Sequence, residues 1–212
     1  QTKTPTTLPT GVWAQQIQKY QAMTLNGQPR TFPVKMLVGA EKVLARMWHE
    51  HTCTKLYTPT QLGEIVQARN FTAIGEINQL AATKKNTTKI EIKHGTLQEV
   101  EEDVWDPRST WSVIDGIEAL KWAWIWMELG AEEDIVNYTD GFVRKRRQAP
   151  NKMAQIKQLW DEAGWKIALA LRENQTFGTI SQQIMADVQF VQEVLARSTA
   201  TTTRGARPTN ET

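Results

Sequence analysis

Apolar residues recur at steps of three and four along most of this chain, a period that admits amphipathic helices and little else. Residues 34–51 place Leu37, Ala40, Leu44, Met47 and Trp48 on one helical face. Thr58, Pro59 and Gln61 read as an N-cap, a first-turn proline and a capping-box partner ahead of Leu62, Ile65 and Val66. A short helix is expected on Ile74, Ile77, Leu80 and Ala81, and one strand over residues 89–93, where apolar and charged residues alternate. Asp106 and Pro107 signal another helix start, before Val113, Ile114, Ile117 and Leu120, with Gly130 as its C-terminal glycine. The next helix opens on Glu132, Glu133 and Asp134 and closes on Arg144, Lys145, Arg146 and Arg147, ahead of Pro150. Its acids sit at the positive end of the helix dipole and its bases at the negative end. Met153, Ile156, Trp160, Ala163, Ile167 and Ala170 mark a long face, and a last helix runs from Thr179 and Gln182 through Ile184, Val188, Val191 and Leu195.

The fold expected is therefore mainly α: a bundle-like core of six to eight helices with at most a small β-hairpin, flanked by extended arms. Residues 1–12, with five Thr and two Pro, and residues 198–212, with six Thr, lack any period and read as the arms. The core divides into a first helical half, 13–98, an acidic connector, 99–106, and a second half, 107–197.

Several function classes lose support. Lys121 and Glu128 interrupt the most apolar segment, so no membrane partner is expected. The chain opens at Gln1 without a signal-peptide core, which fits release from a polyprotein or a trimmed terminus. The single cysteine, Cys53, forms no internal disulfide. His49 and Cys53 are spaced to share a helix face, but the only other histidines are His51 and His94 and the motif is incomplete, so no metal is expected. Glycines occur singly, without a phosphate-binding motif, and no nucleophile triad can be assembled. Paired acids at 101–103 and 132–134 have structural explanations, in a loop and in a first turn. The expectation is a protein without catalytic residues or cofactors, not an enzyme. Five N-x-T sequons, at Asn70, Asn86, Asn137, Asn174 and Asn210, admit glycosylation; the favoured reading is turn chemistry, with Asn ending one helix and Thr capping the next.

Two features point toward partners. The segment 142–159 carries Arg144, Lys145, Arg146, Arg147, Lys152 and Lys157 with no acid, despite a net charge of only +2. Such a patch suits nucleic-acid phosphates, RNA first, although bases also compensate a helix dipole. The chain also has 9 Trp. Trp122, Trp124 and Trp126 step around a helix by about 200° each, so they cannot share one face. Either their helix is buried on all sides, or at least one indole lies at a subunit contact.

The Thr/Pro arm up to Val12, the helical core, the run Arg144 to Arg147 and the Thr-rich tail with Arg204 and Arg207 together resemble helical capsid and nucleocapsid proteins of RNA viruses and the Gag-type capsid proteins of retroelements. The resemblance is architectural and carries over no functional residue; the zinc knuckle of many Gag chains is missing from this sequence. It implies a self-assembling protein whose partners are itself and nucleic acid, within a virion or an intracellular ribonucleoprotein particle. The alternatives are a non-assembling helical DNA- or RNA-binding regulator, or a helical subunit of a large protein complex.

Overall fold

The computed structural model describes residues 3–72, 82–93, 96–107 and 110–197, and side chains over 3–23, 26–69 and 112–197. Among the described residues there are eight α-helices: α1 (Val12–Ala22), α2 (Glu41–His49), α3 (Leu62–Thr72), α4 (Thr110–Trp126), α5 (Glu132–Gln148), α6 (Met153–Arg172), α7 (Phe177–Ala186) and α8 (Val188–Ala196). A 3-10 turn (Val34–Leu37) precedes α2, and a π-helical turn (Glu50–Thr54) extends it. The fold is mainly α, with two antiparallel hairpins added. β1 (Thr24–Leu25) and β2 (Gln28–Pro29) form the smaller; β3 (Ala82–Lys93) and β4 (Thr96–Pro107) form the larger, in a register running from Ala82 opposite Pro107 to Lys93 opposite Thr96.

The larger hairpin revises two expectations. The strand expected at 89–93 is the end of a twelve-residue strand. The acidic segment 99–106 is no connector: it forms β4, and its five carboxylates belong to a strand paired with one bearing Lys84, Lys85, Lys89 and Lys93. An acid run reads as a linker only until a basic strand pairs with it. The helix expected over 74–81 lies outside the described residues.

Helix ends follow local chemistry, at some positions through residues other than those expected. α3 begins at Leu62, not beside Thr58. Arg46 engages the would-be capping residues, donating from Nη1 to Thr58 Oγ1 at 2.9 Å and from Nη2 to Thr60 Oγ1 at 3.0 Å and to Glu64. α4 ends in a Schellman motif, with Leu129 N donating to Trp124 O and Glu128 N to Ile125 O; Glu128, at φ 55°, takes the left-handed position expected of Gly130. At the end of α6, Asn174 (φ 61°) takes the same role and Thr176 caps α7 by accepting from Thr179 N, as the turn reading of that sequon requires. Asn70 and Thr72 do not follow suit, because both lie within α3. The last helix is broken in two at Asp187, whose carboxylate accepts from Phe190 N and caps α8.

The N-terminal segment is laid on its own core. Leu8 packs against buried side chains, and residues 4–11 run past Leu37, Val43, Leu44 and Arg46, with gaps beneath them. Residues 198–212, the expected C-terminal arm, lie outside the described residues.

Candidate functional site

Helix α4 is the centre of the molecule, and its tryptophans show why. Trp126 is 1% exposed; it meets Trp13 and Trp48 at centroid distances of 5.6 and 5.3 Å, and its Nε1 donates to Trp13 O. Trp122 makes edge contacts with Tyr20 and Phe32. Trp124 points the other way, stacked on Trp160 with planes 3° apart and touching Tyr138 and Phe177. The 200° step thus sends two indoles into an N-terminal aromatic cluster and the third into a C-terminal one. All three therefore have apolar partners within the chain, and the geometric argument for a subunit contact at Trp122, Trp124 or Trp126 falls away.

Beside the C-terminal cluster lies a cavity of about 50 Å3, bordered by Glu50, Tyr57, Thr58, Trp124, Tyr138 and Trp160. It is several-fold smaller than a small-molecule site requires. Burial holds the Tyr138 hydroxyl far above the ordinary tyrosine range, so it stays protonated. At the cavity's rim the Tyr57 hydroxyl, raised by burial and by Glu50, lies 2.9 Å from His51 Nδ1. His49, Glu50, His51 and Cys53 do not converge: among the described residues no three potential ligands gather for a metal, and Cys53 is exposed. His94 is outside the described residues. No helix among them is long and apolar enough to cross a membrane.

The basic run sits on the last turns of α5, the loop after it and the start of α6. Arg144 and Arg147, one turn apart, are exposed, and Lys145 and Lys152 are half-exposed. None of these four takes part in an ion pair among the described residues. Arg146 departs from the sequence expectation. It is 3% exposed, inside the face of Ile135, Thr139 and Phe142, with Nη1 donating to Pro150 O at 2.8 Å. It ties the end of α5 to the following loop and is out of reach of a phosphate. Lys157 is half-buried on α6 and already engaged within the chain.

The two ends of α5 contrast. At its N-terminus, Glu132 pairs with Arg30 and Asp134 accepts from Gln182 Nε2 at 3.1 Å, so two of the three first-turn acids are tied to neighbours while Glu133 is exposed. In its last turns three cations, Arg144, Lys145 and Arg147, reach water, and Lys152 joins them from the start of α6. The helix dipole accounts for roughly half a unit of negative charge at that end, well short of three unit charges.

A second surface was not anticipated by the apolar patterning. Among the tryptophans whose side chains are described only Trp165 is exposed, at 50%, and Leu169, one turn on, is 52% exposed. Both lie about 180° from the buried stripe of Ile156, Trp160, Ala163 and Ile167 on α6. That phase was the available signal. No protein-family model matches the chain, and no curated protein or solved structure is similar to it.

Proposed function

We propose that this chain is a structural, non-catalytic protein that coats nucleic acid, RNA first, in a virion or an intracellular ribonucleoprotein particle, by contacting phosphates without reading sequence. The observation that carries this reading is the cluster Arg144, Lys145, Arg147 and Lys152, which reaches solvent around the end of α5 and, among the described residues, has no carboxylate partners. Arg146, buried beneath them, fixes the turn that presents them. Cations so placed displace counterions from a nucleic-acid backbone, and they do so on any sequence. Self-association is the second half of the proposal, and the larger hairpin favours it. Among the described residues its sheet has only two strands, so each strand has an outer edge without a strand neighbour.

The test is fluorescence-anisotropy titration of a labelled single-stranded RNA at several salt concentrations, with the wild type and an Arg144→Ala/Lys145→Ala/Arg147→Ala/Lys152→Ala variant. Affinity should fall steeply with salt, be similar for unrelated sequences, and weaken in the variant, with a salt slope smaller by about three. Unchanged binding by a variant with wild-type circular dichroism overturns the proposal. Arg146 is left intact because its loss would disturb the turn itself.

A further inference from the structure

We infer that the groove along α2 and α3, covered here by residues 3–11 of the same chain, takes that segment from a second copy, so that neighbouring subunits exchange N-terminal arms. This contact rests on the self-association proposed above and supplies a surface for it. The segment is held lightly. Only Pro5 and Leu8 are half-buried, and the rest of residues 3–11 are exposed. Leu8 packs against the core. Among the described residues the segment makes no hydrogen bond or ion pair to α2 or α3; its bonds are local, with Val12 N donating to Pro9 O and Gln15 N to Gly11 O. Open clefts of about 370 and 360 Å3 lie between it and its floor, the first beside Thr4 and Thr6 over Val43 and Ala68, the second beside Leu8 and Pro9 over Leu37 and Leu44. A segment that belongs to a core is packed far more closely.

A second copy is the occupant because the groove already accommodates this sequence. Leu37, Val43 and Leu44 are buried and make its floor apolar, and the arm of a neighbour brings the same Pro5 and Leu8. Exchange of an identical element recreates each contact it removes, so the closed and exchanged forms differ only in the connecting turn and in the entropy of association. That turn is Gly11, at φ 84°, directly before α1. No side chain caps the helix there, and a Cβ would meet only Gln15 Nε2, at 3.9 Å. The left-handed conformation folds the segment back over α2, and an extended conformation at Gly11 directs it away. From Gly11 to Pro5 the chain spans at most about 20 Å, so the receiving copy must lie alongside. Copies bound side by side on one RNA meet that condition, with a neighbour's groove at an effective concentration on the order of millimolar.

The test mixes two forms of the full chain in equal amounts. One has natural isotopes and carries Thr6→p-benzoylphenylalanine, a photo-crosslinking residue at an exposed position beside the groove; the other is heavy-isotope labelled and lacks the probe. After irradiation, mass spectrometry reads whether the arm is joined to a natural or a heavy peptide of α2 or α3. With single-stranded RNA present the heavy share should approach about one half, the value for free choice between the two forms. In dilute solution without RNA it should be several-fold lower. Gly11→Ala, which penalises the left-handed turn, should raise that dilute share by about five-fold, up to the same ceiling. Each variant is checked for wild-type circular dichroism. Natural adducts alone, both on RNA and at high protein concentration without it, overturn the exchange; a share that Gly11→Ala leaves unchanged overturns the hinge on which it depends. Anisotropy with labelled RNA on the same preparations keeps the two readings apart. Heavy adducts in a chain without RNA affinity sink the coat reading alone, and RNA affinity with natural adducts only sinks the exchange alone.

Discussion

His51 shows how one side chain couples the acidity of the medium to the fold. Its ring lies between the π-helical turn and the end of α4, near Lys55, Glu128 and the Tyr57 hydroxyl. Burial, and then Lys55, hold the imidazole below the ordinary histidine value, against the smaller opposing effects of Glu128 and the Met127 backbone. The unfolded chain therefore binds the proton first as pH falls. The contribution to stability is full above about 6.5 and is lost as pH drops from there toward the lowered folded value. Melting temperatures measured between pH 7.5 and 5 should fall over that window, and His51→Gln should flatten the fall. An identical pH profile for the variant would show that another group sets it. Arg146 makes a complementary point. Its type matches Arg144 and Arg147, but helical phase puts it four residues after Phe142 on the buried face, where it serves the loop. That distinction was available in the sequence, where Ile135, Thr139, Phe142 and Arg146 follow at steps of four and three, although α5 itself was located by its charged ends.

At the level of elements, the clearest instance of a residue with another role than expected is Gly130. It follows the turn that ends α4, and a Cβ there would come 2.7 Å from Phe177 Cβ. Phe177 opens α7 and is 1% exposed, so it has little freedom to retreat. Gly130→Ala should therefore destabilise the chain by about 1 to 3 kcal/mol in urea unfolding; a neutral effect would mean that α7 shifts at no cost. The sequence displayed most of the helical core because each buried stripe carries its own period: Ile156, Trp160, Ala163 and Ile167 belong to α6 in the sequence and in the structure alike. Positions resolved by long-range contact were less legible. Nothing near Thr58 announces that Arg46, twelve residues earlier, would engage it in place of α3. Nothing in the acids of 99–106 announces a pairing strand, because antiparallel register is a relation between two segments. The Asp187 break was hidden by apolar residues that continue on both sides of it.

On the scale of the whole molecule, the sequence suggests two halves joined by a connector, whereas packing makes the described helices one body. The N-terminal elements do not close a core of their own: Trp13, Trp48 and Phe32 complete theirs on Trp126 and Trp122 of α4. The C-terminal helices complete theirs on Trp124 of the same helix. Links between the ends reinforce this, with Gln16 Nε2 donating to Trp126 O at 2.9 Å and Arg30 pairing with Glu132 across the junction. Because α4 is shared, neither cluster keeps its partners when the other opens, and unfolding should be a single cooperative transition. Tryptophan fluorescence and far-ultraviolet circular dichroism should report the same midpoint in urea. Trp124→Ala, which opens a cavity in the C-terminal cluster, should lower that shared midpoint by the equivalent of about 3 to 5 kcal/mol without splitting the curves. Two separated transitions, with only the later-sequence helices affected by Trp124→Ala, would mean that α4 belongs to one half and that the N-terminal elements fold on their own.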